Sequence, residues 1–264
     1  MSSNADNAML IHAAAEARRF LNKYGITSPK EIVLEDLAVG EDIELKIAPL
    51  VGAEAHLVRV DDVGSITVSD KLRSRGLQRF AIAHELGHWC MHKGVRQKFY
   101  CSSDDMREYR NSGPELEANT FAGELLMPKH LIATKLLADE PTWESLQWLV
   151  KEFEVAPISA AIRYVELAKQ PVIAVFSDGR NVRWWRENRQ RTGGLWLESQ
   201  QFLAVDSVAY HVKDSPDHTP VLEQVPWDAW FPHVRSNGDS ELFEIAAPMD
   251  DEGSMLSLLW MPSW

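Results

Sequence analysis

Cysteine is scarce in this chain: two in 264 residues, Cys90 and Cys101. That excludes a disulfide framework and fits a reducing compartment. Basic residues are outnumbered, 27 Lys and Arg against 39 Asp and Glu, for a formal net charge of −12. Such a balance disfavours non-specific attraction to nucleic acid or to an anionic membrane. Nowhere does an uninterrupted apolar run approach the ~18 residues that a membrane span needs. The opening stretch, MSSNADNAML, has neither the basic flank nor the apolar run of a signal peptide. Internal repeats and low-complexity segments are missing too. The expectation is a cytoplasmic protein without membrane association.

What is present is enough apolar material for a sizeable core, 45% of residues, in a chain whose length suits two modest domains. Residues 8–23 are Ala-rich with helical apolar spacing, ended by Gly25. Ser28-Pro29 is expected to open a second helix, with Pro at the favoured first position. From Ile43 to Ser69, the runs IELKIAPL, AHLVRV and SITVSD read as short strands, the last two joined by a VDDVG turn. Leu77–His92 is apolar nearly all round and reads as a buried helix, terminated by Gly94. Residues 95–113 are polar and read as an irregular surface loop, followed by a helix over Pro114–Met127 stopped at Pro128. Two shorter helices are expected near 143–153 and 157–169. At Pro171 the character changes. PVIAVFSDGRNVRWW reads as strand, Asp-Gly turn, strand, and seven of the ten Trp lie beyond this point, so a boundary is placed near 170. The expected class is α+β, with domains over 1–138, 139–170 and 171–264, the last mostly β.

The stretch AIAHELGHWCMH carries the chemistry. Residues at i and i+4 share a helix face, so His84 and His88 can point at one ion. Glu85 lies ~100° round the axis and can reach a water beside that ion. This is the geometric sense of His-Glu-x-x-His: two nitrogen ligands and a general base. The alternative is a buried helix with incidental histidines. An isolated carboxylate there would be costly, which favours the metal reading.

A catalytic zinc takes three protein ligands and leaves a position open. His92 sits ~12 Å along the axis from His84, at ~1.5 Å per residue, so three turns of one straight helix cannot easily converge. His92 is therefore expected in the core or behind a ligand, hydrogen-bonded to it. GPELEANTFAGELLMP is the better source. At ~100° per residue, Glu115, Ala118, Asn119, Ala122, Leu125 and Leu126 share a face, with Glu117 and Glu124 opposite and expected in solvent. Glu115 is thus the preferred third ligand, with Asn119 one turn later placed to hydrogen-bond a ligand from behind. Glu117 as ligand, and an ion pair between Glu115 and an Arg such as Arg79, are the alternatives. Two His and one Glu with an open corner is zinc hydrolase chemistry, though manganese or iron also fits such donors. Tyr100, Tyr109 and His130 are candidates for stabilising an oxyanion.

RFAIAHELGHWCMH followed by ELEANTFAGELLMP closely resembles the ImmA/IrrE metallopeptidases, over roughly residues 8–135. The family's Arg-Phe-x-x-Ala-His-Glu-Leu-Gly-His run is met by Arg79 to His88, and its third ligand falls on Glu115. The resemblance implies a zincin-like zinc endopeptidase that inactivates an XRE-type helix-turn-helix repressor, releasing a stress or mobile-element response. Its IrrE-like branch also implies a helix-turn-helix-like segment, fitting residues 145–167, and a GAF-like C-terminal regulatory domain. One departure is that residues 139–170 carry six acidic and three basic side chains, so DNA reading is not expected there. Arg180, Arg183, Arg186, Arg189 and Arg191, around Trp184 and Trp185, are read as a solvated face before an anion site. Cys90 is read as a small core residue and Cys101 as a weak redox or ligand candidate. Two further readings stand beside the peptidase: a metal-stabilised regulator that only binds the repressor, and a sensor domain gating the protease through a small ligand.

Overall fold

In the computed structural model the described residues are 4–72, 74–93, 99–101, 113–133, 140–198, 200–215, 217–234, 240–250, 253–262 and 264. The chain divides into two units, one of Met1–Ile132 with Leu149–Ala156, the other of Ala133–Trp148 with Pro157–Trp264. Among the described residues no helix is long and apolar enough to cross a membrane.

The first unit opens with α1 (Asn4–Lys23), four residues earlier than its apolar spacing begins. Pro29 starts only a 3-10 turn, Pro29–Glu31, not the expected helix. Glu31 reaches back to the backbone of Thr27 and Ser28, but Ile32 leaves helical backbone at φ −79° and ψ 67°, and the turn ends there. Helix α2 (Leu34–Val39) follows separately. Strands β1 (Ile43–Ala48), β2 (Ala55–Val60) and β3 (Val63–Ser69) form where the alternation placed them. Their sheet has the order β1-β3-β2-β4, with β1 parallel to β3 and the other pairs antiparallel. The edge strand β4 (Phe99–Cys101) corrects the reading of 95–113 as wholly irregular. Three residues in a polar stretch carry no period of their own, and only pairing with β2 defines them.

Helix α3 (Arg75–Met91) packs on β2 and β3. Inward-facing Leu57, Ile66 and Val68 are buried, and Gly64 admits Trp89, whose ring would stand 2.8 Å from a Cβ added there. Helix α3 ends at Met91 with His92 at its cap; the expected terminator Gly94 lies outside the described residues. Helix α4 (Pro114–Leu126) packs on both α1 and α3, with Phe20 and Phe121 edge to face at 5.9 Å. This double packing overturns the expectation that Glu124 is solvated. It is buried, 3.5 Å from Arg18 of α1. A four-residue helix, α5 (Lys129–Ile132), follows Pro128.

Helices α6 (Trp143–Phe153) and α7 (Pro157–Leu167) come next, and the division between the units falls inside α6. The second unit is built on one antiparallel sheet of β5 (Val172–Ser177), β6 (Val182–Glu187), β7 (Glu223–Val225), β8 (Leu242–Pro248) and β9 (Met255–Trp260), in the order β6-β5-β9-β8-β7. Two short helices, α8 (Arg189–Thr192) and α9 (Val208–Val212), lie between the strands in sequence. The Asp-Gly turn forms as read. Asp178 Oδ1 accepts the amides of Arg180 and Asn181 at 3.0 and 2.7 Å, and Gly179 takes φ +80°. The core of this unit gathers Ile173, Val175, Leu242 and Leu259 of the sheet with Trp227, Trp230 and Phe231.

Candidate metal centre

Helical spacing puts His84 and His88 one turn apart on α3, both buried between the sheet and α4. Glu85, between them in sequence, is fully buried. Pro114, at the first position of α4, sets the entry of that helix. Glu115 follows at once and reaches across to α3. Its Oε2 lies 3.1 Å from His84 Nε2 and its Oε1 3.4 Å from His88 Nε2. The two Nε2 atoms are 3.0 Å apart. One ligand atom from each of the three residues falls within 4.8 Å of the others, so they could hold a metal ion. Glu115 keeps 28% of its side chain exposed, which leaves the cluster open on one side.

Behind these atoms lies a ring of partners. Asn119 Oδ1 is 2.8 Å from His84 Nδ1. An amide oxygen only accepts, so His84 carries its proton on Nδ1 and turns a bare Nε2 inward. His88 Nδ1 is 2.9 Å from His92 Nδ1, and His92 Nε2 is 3.0 Å from Glu117 Oε2. Glu117 is therefore not solvated as the helix angle had it. His92 caps α3 with non-helical backbone, φ −109° and ψ 43°, and its side chain reaches a position that an ideal helix would not offer. Arg79, the alternative partner for Glu115, is engaged elsewhere. It donates to the Ile32 carbonyl at 3.1 Å and lies 4.0 Å from Glu154.

The electrostatics suit a cation. Burial would raise Glu115, but the two imidazoles beside it hold its carboxyl well below the usual carboxylate range. Burial pushes His88 down to about 4, against the pull of Glu115. His84 is also opposed by burial, yet the nearby carboxylates of Glu115 and Glu85 bring it out raised. Two nitrogens and a carboxylate facing one point are a donor set that a divalent ion fits.

His130 is exposed on α5, and Tyr109 lies outside the described residues. Tyr100 and Cys101 belong to β4, where only the backbone is described. Cys90 is half-buried rather than fully in the core, and burial pushes its thiol up to about 12. Among the arginines, Arg183 pairs with Asp178 at 3.2 Å and Arg189 with Glu187 at 3.4 Å, a solvated face rather than a gathered anion site.

A sheet covered by a His-Glu-x-x-His helix, with a carboxylate brought in from the next helix, defines a metallopeptidase-like domain of the zincin kind. Residues 41–164 match the family model of the IrrE N-terminal-like domain, Peptidase_M78, in keeping with the ImmA/IrrE resemblance of the two motifs. The chain is also similar in fold to a solved structure described as a Mycobacterium tuberculosis transcriptional regulator. The TM-score is 0.59 at 14% identity, over 95% of this chain and 87% of that one. Among curated proteins none matches.

Proposed function

We propose that the chain is a metal-dependent endopeptidase directed at one partner protein, an XRE-type helix-turn-helix repressor. The observation that carries this reading is the convergence of His84, His88 and Glu115, with buried Glu85 one residue after the first ligand. These three would hold the ion, and the donor set favours Zn2+ over Mn2+ or Fe2+. When bound, the ion supplies a Lewis acid that polarises the scissile carbonyl and makes water easier to deprotonate. Glu85 takes the proton of the attacking water as the carbon–oxygen bond forms. It then passes that proton to the leaving amine as the carbon–nitrogen bond breaks. Asn119 keeps the His84 lone pair turned toward the site.

The proposed layout keeps the peptidase over 1–138, a helical segment over 139–170 and a GAF-like sensor over 171–264. A single five-stranded antiparallel sheet with its own core supports a separate regulatory role for the last part. The helical segment is net acidic, and with the chain's charge of −12 it is suited to a basic protein partner rather than to DNA. A transcription-linked role is supported by the fold likeness to a protein described as a transcriptional regulator.

The test uses the full chain and the product of an adjacent XRE-type reading frame, with metal counted by elemental analysis and cleavage followed on a gel. Glu85→Gln should keep one ion per chain and lose cleavage by at least ~100-fold, the scale of general acid–base catalysis. His84→Ala should lose both metal and cleavage. Undiminished cleavage by Glu85→Gln would discard the hydrolytic mechanism.

A further inference from the structure

We propose that Glu117 and His92 form a positioning relay that holds His88 in the one tautomer able to bind the ion. The inference rests on the metal reading above and goes past it. It concerns how a ligand is prepared, not which residues are ligands.

The chain of contacts runs Glu117 Oε2 to His92 Nε2 at 3.0 Å, then His92 Nδ1 to His88 Nδ1 at 2.9 Å. A carboxylate accepts hydrogen bonds, so the proton of His92 sits on Nε2. A neutral imidazole carries one such proton, and His92 Nδ1 is then an acceptor. It can accept only if His88 Nδ1 is the donor. The proton of His88 is thereby fixed on Nδ1, and its Nε2 is bare where it meets His84 Nε2 and Glu115 Oε1.

The competing state shows what the relay prevents. With its proton on Nε2, His88 would donate directly to Glu115, 3.4 Å away. Two ligands would then be satisfied by each other, and a cation would have to break that bond first. His84 faces the same hazard and is held by the amide of Asn119, whereas His88 is held by a carboxylate acting through a second imidazole. One helix supplies all of this. Within five residues α4 presents Glu115 at the site, Glu117 behind His92 and Asn119 behind His84. His92, one turn beyond His88, thus serves as a spacer that lets Glu117 act on a ligand from a different side of α4 than Glu115.

The deciding measurement is read on the wild-type chain. In the full chain labelled with 15N in its imidazoles and freed of metal, long-range proton–nitrogen correlations report the tautomer of each histidine. The His88 signal is assigned by its loss in His88→Gln. We expect the Nδ1–H form, and an Nε2–H form in the wild type overturns the relay. Zn2+ affinity, read by competition with a chromophoric chelator, supplies the second arm. His92→Phe and Glu117→Ala should bind ~10–100-fold more weakly, the scale seen when a partner behind a metal ligand is removed. Glu117→Gln, which keeps an acceptor oxygen, should fall between them and the wild type. Folded variants that bind Zn2+ as tightly as the wild type also overturn the relay and leave the metal site standing. A wild type that binds no Zn2+ removes the metal site itself, and the proposal with it.

Discussion

Buried carboxylates do different work at different places in this chain, and their partners say which. Glu244 on β8 is fully buried in the second unit and has four donors. Val208 and Trp230 give Oε2 hydrogen bonds of 2.8 and 2.9 Å; Ala209 and Ser257 give Oε1 bonds of 3.0 and 2.9 Å. It ties the start of α9 to the sheet and to the Trp230 side chain. Burial raises its carboxyl above the ordinary value of 4.5, with the four donors opposing. A raised carboxyl binds its proton more tightly folded than unfolded, so its contribution is full below that value and drains as the pH rises through the folded one. Glu244→Gln keeps the shape but replaces one acceptor oxygen with an amide NH2 that faces two donors. The expected loss is ~2–4 kcal/mol in urea unfolding, from donors left without an acceptor, and the glutamine variant should lack this part of the pH slope. A variant within ~0.5 kcal/mol of wild type would show that the four bonds contribute little. None of this was legible in the sequence, where Glu244 is one acid among many. The face that each of His84, His88 and Glu115 presents was legible, because spacing along a helix sets it, and the packing of α3 on α4 brings the three together. Glu117 was misread for the same reason: its angle on α4 is right, but His92 departs from the helix it caps.

Between elements, the decisive contact is the approach of α3 to α4, and it depends on Gly87. A Cβ added there would lie 3.1 Å from Ala118 Cα and 3.2 Å from Phe121 Cβ. Ala118 offers backbone, so α4 as a body would have to retreat by a few tenths of an ångström. Gly87→Ala gains up to ~1 kcal/mol of helix propensity, against overpacking that costs ~1–3 kcal/mol. Stability should therefore change by less than ~2 kcal/mol. Zn2+ affinity should drop about tenfold, because α4 carries Glu115, Glu117 and Asn119 together. Unchanged affinity would mean that the ligand geometry tolerates the shift. Gly76→Ala differs in kind. Its Cβ would stand 2.4 Å from the backbone nitrogen of Ala156, with no flexible end to move, so a larger loss of stability is expected in thermal unfolding. Hairpins and the His-Glu-x-x-His helix were readable at this scale, because each is specified within a dozen residues. Strand β4, the single turn at Pro29 and the burial of Glu124 were not, because each depends on what packs against it.

At the scale of the whole molecule, the sequence signals a change of character near residue 170, and the contact units change at 132/133, within α6 and before Pro157. Composition changes where strands replace helices. A contact boundary follows which core a side chain joins. The two cores differ in one respect that can be measured. The first holds the cluster of His84, His88 and Glu115, while the second contains buried Glu244 bonded to Trp230. An ion that binds only the folded site stabilises by RT ln(1 + [L]/Kd), about 2.7 kcal/mol at a hundredfold excess over Kd. In scanning calorimetry of the full chain, excess Zn2+ should move one transition upward and leave the other in place. A chelator should reverse the shift. Glu244→Gln should lower the transition that Zn2+ leaves alone, and His84→Ala should abolish the Zn2+ shift without touching it. If instead one transition responds to both perturbations by the full amount, the two cores unfold together, and occupancy of the metal site bears directly on the stability of the proposed sensor.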